Sequence, residues 1–280
     1  MPIKTSFLNE EHLRQLPLPT HGKRYAVVPH GTVIDKTREE LSAAGFGVIS
    51  ELYRASLDGQ IAQGSYQLHY GDDSDMGLMF AWSNSYNKMM RFKCAVGAQV
   101  FICMNGVVHG DLGNYNRKHI GANTLTDVFT TINTQISKAK EHYDQLVTDK
   151  EMLKNVTLTT KDKGRILGEL FAHDEILTLT QVGIVKREID KPSFNYNSDV
   201  DSAWTMYNHI TLALKESHPM TYIDDHQKVH SFFVKQYGSP IASEVVQPTP
   251  LDVKDQPIEP IKDSTVFKAH TSSLYGVNFV

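Results

Sequence analysis

From residue 91 to residue 104 hydrophobic and polar positions alternate. Phe92, Cys94, Val96, Ala98, Val100, Ile102 and Met104 fall on one face, and Arg91, Lys93, Ala95, Gly97, Gln99, Phe101 and Cys103 on the other. A period of two belongs to a half-buried β-strand. Residues 78–83 form a second strand candidate with aromatics at Phe80 and Trp82. Asn84, Ser85, Asn87 and Lys88 lie between the two runs and are turn formers, so the pair predicts a hairpin. Upstream, residues 48–55 and 60–70 read as strands joined at Asp58-Gly59, a strong hairpin signal. Residues 48–106 therefore predict a meander of about four antiparallel strands.

A different period follows. Behind Thr124, the residues Leu125, Val128, Phe129, Ile132, Ile136, Ala139, Tyr143 and Leu146 repeat at steps of three and four. They make the apolar stripe of one long helix that can lie across the sheet. Ahead of the sheet, residues 25–28 predict a short strand. Residues 35–44 predict a helix capped by Asp35 or Thr37 and stopped by Gly45. Beyond residue 150 strand signals stop, and helices are expected within 160–171, 174–189, 199–217 and 224–237. The fold class is α+β: an antiparallel β-meander covered by a long helix, followed by a helical C-terminal half. Residues 1–22 read as an irregular N-terminal arm, 23–150 as the sheet core, and 151–238 as a helical region packed on it. Residues 239–280, with Pro240, Pro248, Pro250, Pro257 and Pro260, read as a flexible tail.

Composition narrows the function classes. The chain has 280 residues, 40% hydrophobic and 21% charged, and a net charge of -4. That total argues mildly against a dedicated duplex-DNA binder while leaving room for a local basic stripe. No charged-then-apolar leader follows Met1 and no apolar run reaches membrane-spanning length, which reads as a protein of the host cytoplasm with no membrane partner. Cys94 and Cys103 sit an odd number of residues apart, on opposite strand faces, and read as free thiols.

Lys88, Arg91 and Lys93 place cations at the hairpin tip and along one strand face, a spacing that can follow a chain of phosphates. Tyr86 and Phe101 could add base stacking. Arg117, Lys118 and His119 cluster ahead of the long helix, where a phosphate could sit. Both sets can equally be read as solvated polar surface. His109, Asp111 and His119 match no compact metal motif, and Asp72, Asp73 and Asp75 lack the glycine and glutamate of a calcium loop. The acidic stretch reads as a solvated turn. No metal or cofactor is expected, no catalytic residue is assigned, and no acid, base and nucleophile converge.

Asn84-Ser85 in a turn, Cys103-Met104-Asn105-Gly106 closing the next strand, His119 before a long helix and Trp204-x-x-Tyr207-Asn208-x-x-Thr211 together resemble the phage/plasmid-like protein family. That family is a domain of unknown function from phages and mobile elements. The resemblance spans residues 23–237. At the turn the family carries Asp-Gly after the serine, where this chain has Tyr86-Asn87-Lys88. The resemblance implies nucleic-acid processing in phage or plasmid replication. Helix, meander and covering helix are also the core of single-strand annealing recombinases, an analogy of topology. The expected function is non-enzymatic handling of single-stranded nucleic acid, as an annealing or recombination accessory, with a second copy of the chain as one expected partner. The alternative is a phage structural or host-interaction protein that binds another protein.

Overall fold

The computed structural model describes residues 5–20, 25–100, 105–108, 116–117 and 123–237. The chain divides into two units, 1–239 and 240–280, and every described residue belongs to the first. The tail expected over 239–280 lies outside the described residues, as do Phe101, Cys103, His109, Asp111, Lys118 and His119.

The alternating region is an antiparallel meander. Its strands are β1 (Thr5–Leu8), β2 (Gly47–Ser56), β3 (Ile61–His69), β4 (Met76–Ser85), β5 (Phe92–Val100) and β6 (Asn105–Val108), in spatial order β1 to β6. A seventh strand, β7 (Asn116–Arg117), also pairs with β5. The Asp58-Gly59 turn sets the β2–β3 register: Gly59 sits at φ +66, which glycine adopts without strain. Arg54 then faces Gln63 across the pair.

Two segments depart from expectation. Residues 25–28 form no named strand, only a bridge at Tyr25. The N-terminal stretch is not irregular throughout: β1 joins the sheet edge, and α1 (Glu10–Gln15) follows it. The next helix, α2 (His30–Ala43), starts ahead of the predicted 35–44. Arg38 of α2 ties the two helices to the sheet, donating to both Glu10 oxygens (2.6 and 2.9 Å) and both Glu51 oxygens (2.5 and 2.9 Å). Asp35 accepts from Arg14 instead of capping the helix.

The covering helix is present but broken in two, α3 (Thr124–Ser137) and α4 (Ala139–Lys154). In α3 the hydroxyls of Thr130, Thr131 and Thr134 donate to carbonyls four residues back, and Ser137 donates to the Thr134 carbonyl. Such back-bonding competes with the helix ladder and bends it, and the run ends where the helix breaks. The stripe still buries Val128, Ile132, Ile136, Ala139, Tyr143 and Leu146 against the core face of β4 and β5.

The helical half comprises α5 (Thr160–Gly168) with a π-helical turn (Glu169–His173), α6 (Leu179–Asp190), α7 (Ala203–Ala213) with a 3-10 turn (Leu214–Glu216), and α8 (Tyr222–Tyr237). Trp204 stacks on Tyr207 (5.5 Å between centroids), and Tyr207 meets Phe233 edge-on (5.2 Å) to join α7 to α8. α8 also packs on β4 and β5 from the side opposite α4. Ala81 and Ala95, a cross-strand pair, give it a shallow bed on which Ile223 sits. The sheet is therefore covered on both faces at β4 and β5, and every residue of β4 is buried. Among the described residues no helix is long and apolar enough to cross a membrane.

Candidate nucleic-acid interface and the cation row behind it

The β4–β5 connection is built to be stiff. Tyr86 is fully buried and lies flat on the His30 ring (3.9 Å between centroids, 7° apart). Its hydroxyl accepts from the His30 backbone N–H (2.8 Å), and burial pushes its pKa up. His30 is held from its other sides: Asn84 Nδ2 donates to Nδ1 (2.9 Å), and Nε2 faces the Gly59 carbonyl (3.2 Å). A carbonyl can only accept, which places a proton on Nε2. Asn84 Nδ2 also donates to the Val28 carbonyl (2.8 Å), which locks the N-terminus of α2 to the end of β4. These bonds place Tyr86 in the core; in this arrangement it offers no face to a base.

Past Tyr86 the chain turns outward. Asn87 Oδ1 accepts from the Met89 N–H (3.1 Å), Lys88 adopts φ +66, and Ser85 Oγ closes the loop onto the Met90 carbonyl (3.0 Å). Lys88, Met89 and Arg91 are exposed, Met89 to 61%. The Lys88 ammonium lies 5.2 Å from the Tyr25 ring centroid. No ion pair to a carboxylate within 4.0 Å forms at Lys88 or Arg91 among the described residues. The tip is thus a small cationic projection with an apolar centre.

Lys93 does not belong to it. Strand register puts Arg54, Gln63, Ser83 and Lys93 in one row across four strands. Residues 215–224 lie over that row and accept from it. Arg54 donates to the Lys215 carbonyl (3.1 Å), Ser83 to the Pro219 carbonyl (3.1 Å) and Lys93 to the Met220 carbonyl (3.5 Å). Lys93 also pairs with Asp224 at the start of α8. The cation expected to follow phosphates along the strand is engaged with the protein's own backbone and carboxylate. The strand face that alternation marks as open is under a helix.

Arg117 sits in β7, next to Phe92 of β5 in register. Its neighbours Lys118 and His119, and the stacking candidate Phe101, lie outside the described residues.

The acidic loop is solvated only in part: Asp72 is exposed, while Asp73 and Asp75 are engaged. Asp73 accepts from Lys150 (2.5 Å), and Asp75 accepts from Lys154 (2.5 Å), Lys150 (3.2 Å) and Asn197 (3.2 Å). Asp73 Oδ1 also caps the Asp75 and Met76 amides (2.9 and 3.0 Å). Burial raises the Asp75 carboxyl, but hydrogen bonds from Lys154, Asn197 and Lys150 outweigh it and hold the pKa below the ordinary value. The loop fastens the sheet to α4. Among the described residues no three His, Cys, Asp or Glu side chains gather as a metal-binding group. Cys94 is buried, and burial pushes its thiol well up.

Arg54 and its neighbours on the 215–224 segment escaped the sequence reading. A signal was available: counting back from the Asp58-Gly59 turn puts Arg54 opposite a neutral glutamine, with no acid across the pair. Comparison with protein-family models, curated proteins and solved structures finds no match to this chain.

Proposed function

We propose that this chain is a non-enzymatic protein of a phage or mobile element that holds single-stranded nucleic acid, with phosphates seated at the β4–β5 hairpin tip. The observation that carries the reading is the contrast within one set of cations. Lys93 is tied down, while Lys88 and Arg91 stand exposed on a stiff loop without a carboxylate partner. Met89 between them supplies an apolar surface against which a base can lie. Two phosphate contacts give weak, sequence-independent binding with a log–log salt slope near -1.4, taking about -0.7 per phosphate for a single strand. Self-association would repeat the tip along a strand and raise the total affinity. The test is a salt titration of fluorescently labelled oligothymidylate against wild type and Lys88→Glu/Arg91→Glu. Binding at low salt that vanishes in the double variant supports the reading, and equal anisotropy curves overturn it.

A second reading has its own support. β1 pairs only with Tyr53–Ser56 of β2, so residues 47–52 have an outer edge without a strand partner among the described residues. Val48, Ile49 and Leu52 are exposed along it. An edge of this kind accepts an added strand from another protein. Pull-down partners lost on Ile49→Pro, with oligothymidylate binding unchanged, would favour this role.

A further inference from the structure

The second face of the sheet holds a half-buried cation, Arg54, without an ion-pair partner. Arg54 Nε donates to Gln63 Oε1 (2.7 Å), and Nη1 donates to the Lys215 carbonyl (3.1 Å). The guanidinium lies 4.2 Å from the Tyr222 ring centroid. Nη2 is buried and has no hydrogen-bond partner. No ion pair within 4.0 Å reaches Arg54 among the described residues, and Glu216 acts on it only through space. Other shielded cations of the fold are satisfied differently. Lys150 meets Asp73, Asp75 and Glu151, and Lys93 meets Asp224. An arginine stays charged in proteins, and leaving one of its N–H groups buried and unsatisfied is costly. Among the described residues Arg54 carries that cost, and it borders a cleft.

The cleft measures about 200 Å³. Leu52 and Tyr222 wall it with apolar surface, Ser65 and Gln99 bring a hydroxyl and an amide, and Lys215 completes the lining. We infer that the Arg54 cleft is a binding site for a small oxyanion, the phosphoryl or carboxylate group of a ligand whose body rests on Leu52 and Tyr222. The oxyanion takes Nη2 as its first donor and supplies the missing counter-charge. Nη2 is closed to water in the free chain, so binding requires the partly exposed Tyr222 ring to give way. Ser65 and Gln99 then orient the ligand. The site is independent of the hairpin tip: it uses β2, β3, the far end of β5 and the 215–224 segment, and Lys88→Glu/Arg91→Glu leaves it intact.

The test is thermal unfolding of the full chain at fixed ionic strength, with sodium chloride exchanged for inorganic phosphate or for benzoate, and benzamide as the uncharged counterpart of benzoate. The expected result is a melting temperature that climbs with the logarithm of anion concentration above the dissociation constant, with no climb in benzamide. A response to phosphate alone assigns a phosphoryl group, and a response to benzoate alone assigns a carboxylate on an apolar body. Arg54→Met removes the response. Gln63→Glu is the second variant: it is isosteric and puts a carboxylate where the amide oxygen already accepts Nε at 2.7 Å. It is expected to melt higher than wild type in chloride and to lose the anion response. Wild type unmoved by both anions, or Gln63→Glu responding as wild type does, would overturn the site.

Discussion

Replacing Lys93 with methionine separates a structural cation from a ligand-binding one. Methionine keeps most of the aliphatic stem, so the change removes the ammonium and little packing. What is lost is the Asp224 pair and the long contact to the Met220 carbonyl. Hydrogen bonds to charged groups contribute about 1.5–3 kcal/mol. The pair is unevenly shielded: the Lys93 side chain is 14% exposed and Asp224 37%. Water can therefore recover part of what the orphaned carboxylate loses, and the low end, about 1.5 kcal/mol, is expected. For a unit of this size that is a fall of about 3–6 °C in melting temperature. Asp224→Asn should cost a similar amount, and the double variant should cost little more than either single change, because both remove one interaction. Oligothymidylate binding by Lys93→Met should match wild type. Unchanged melting together with lost binding would refute the reasoning, since Lys93 would then be serving a ligand and not α8.

Three further outcomes follow from the same packing. A Cβ at Gly64 would lie 2.6–2.7 Å from the indole of Trp82, which is fully buried and donates from Nε1 to the Tyr66 hydroxyl. Gly64→Ala should cost about 1–3 kcal/mol, read as a lower urea midpoint at unchanged slope. Adding Trp82→Phe, which removes the clashing atoms, should recover part of the loss, and a wild-type midpoint for Gly64→Ala would count against this packing. Asp75 is held below its ordinary carboxyl value of 3.8, so its contribution is complete above that value and fades as pH falls through the lower folded value. The stability difference between wild type and Asp75→Asn should be flat through neutral pH and shrink in acid below about 4; a difference that persists undiminished near pH 2 would exclude the mechanism. Cys94 should resist thiol reagents in the folded chain and react on unfolding, because it is buried and its thiol is pushed up.

The sheet was legible because its signals are local. Asp58-Gly59 fixes a turn, the even residues of 92–100 mark a core face, and the stripe from Val128 to Leu146 announces the helices that cover it. Each depends on a few neighbouring residues. What stayed hidden depends on distant ones. Ala95 reads in sequence as part of the more polar strand face, yet the small size of the Ala81–Ala95 pair is what lets α8 dock there. α1 has no period of its own and is pinned by ion pairs to Arg38 and, through Arg14, to Asp35. Tyr86 looked like an exposed turn aromatic until His30, 56 residues away, proved to be its stacking partner. Lys93 looked solvated because Asp224 lies 131 residues on. The candidate site was therefore half legible: the exposed tip by local turn chemistry, and the anchored row only by tertiary packing.

The most direct measurement is the salt-dependent affinity of the protein for single-stranded oligothymidylate, with Lys88→Glu/Arg91→Glu and Lys93→Met alongside wild type. The account predicts weak binding with a slope near -1.4, lost in the glutamate pair with melting unchanged, and kept in Lys93→Met with melting lowered. Binding that survives both glutamates, or that fails in Lys93→Met alone, would contradict it.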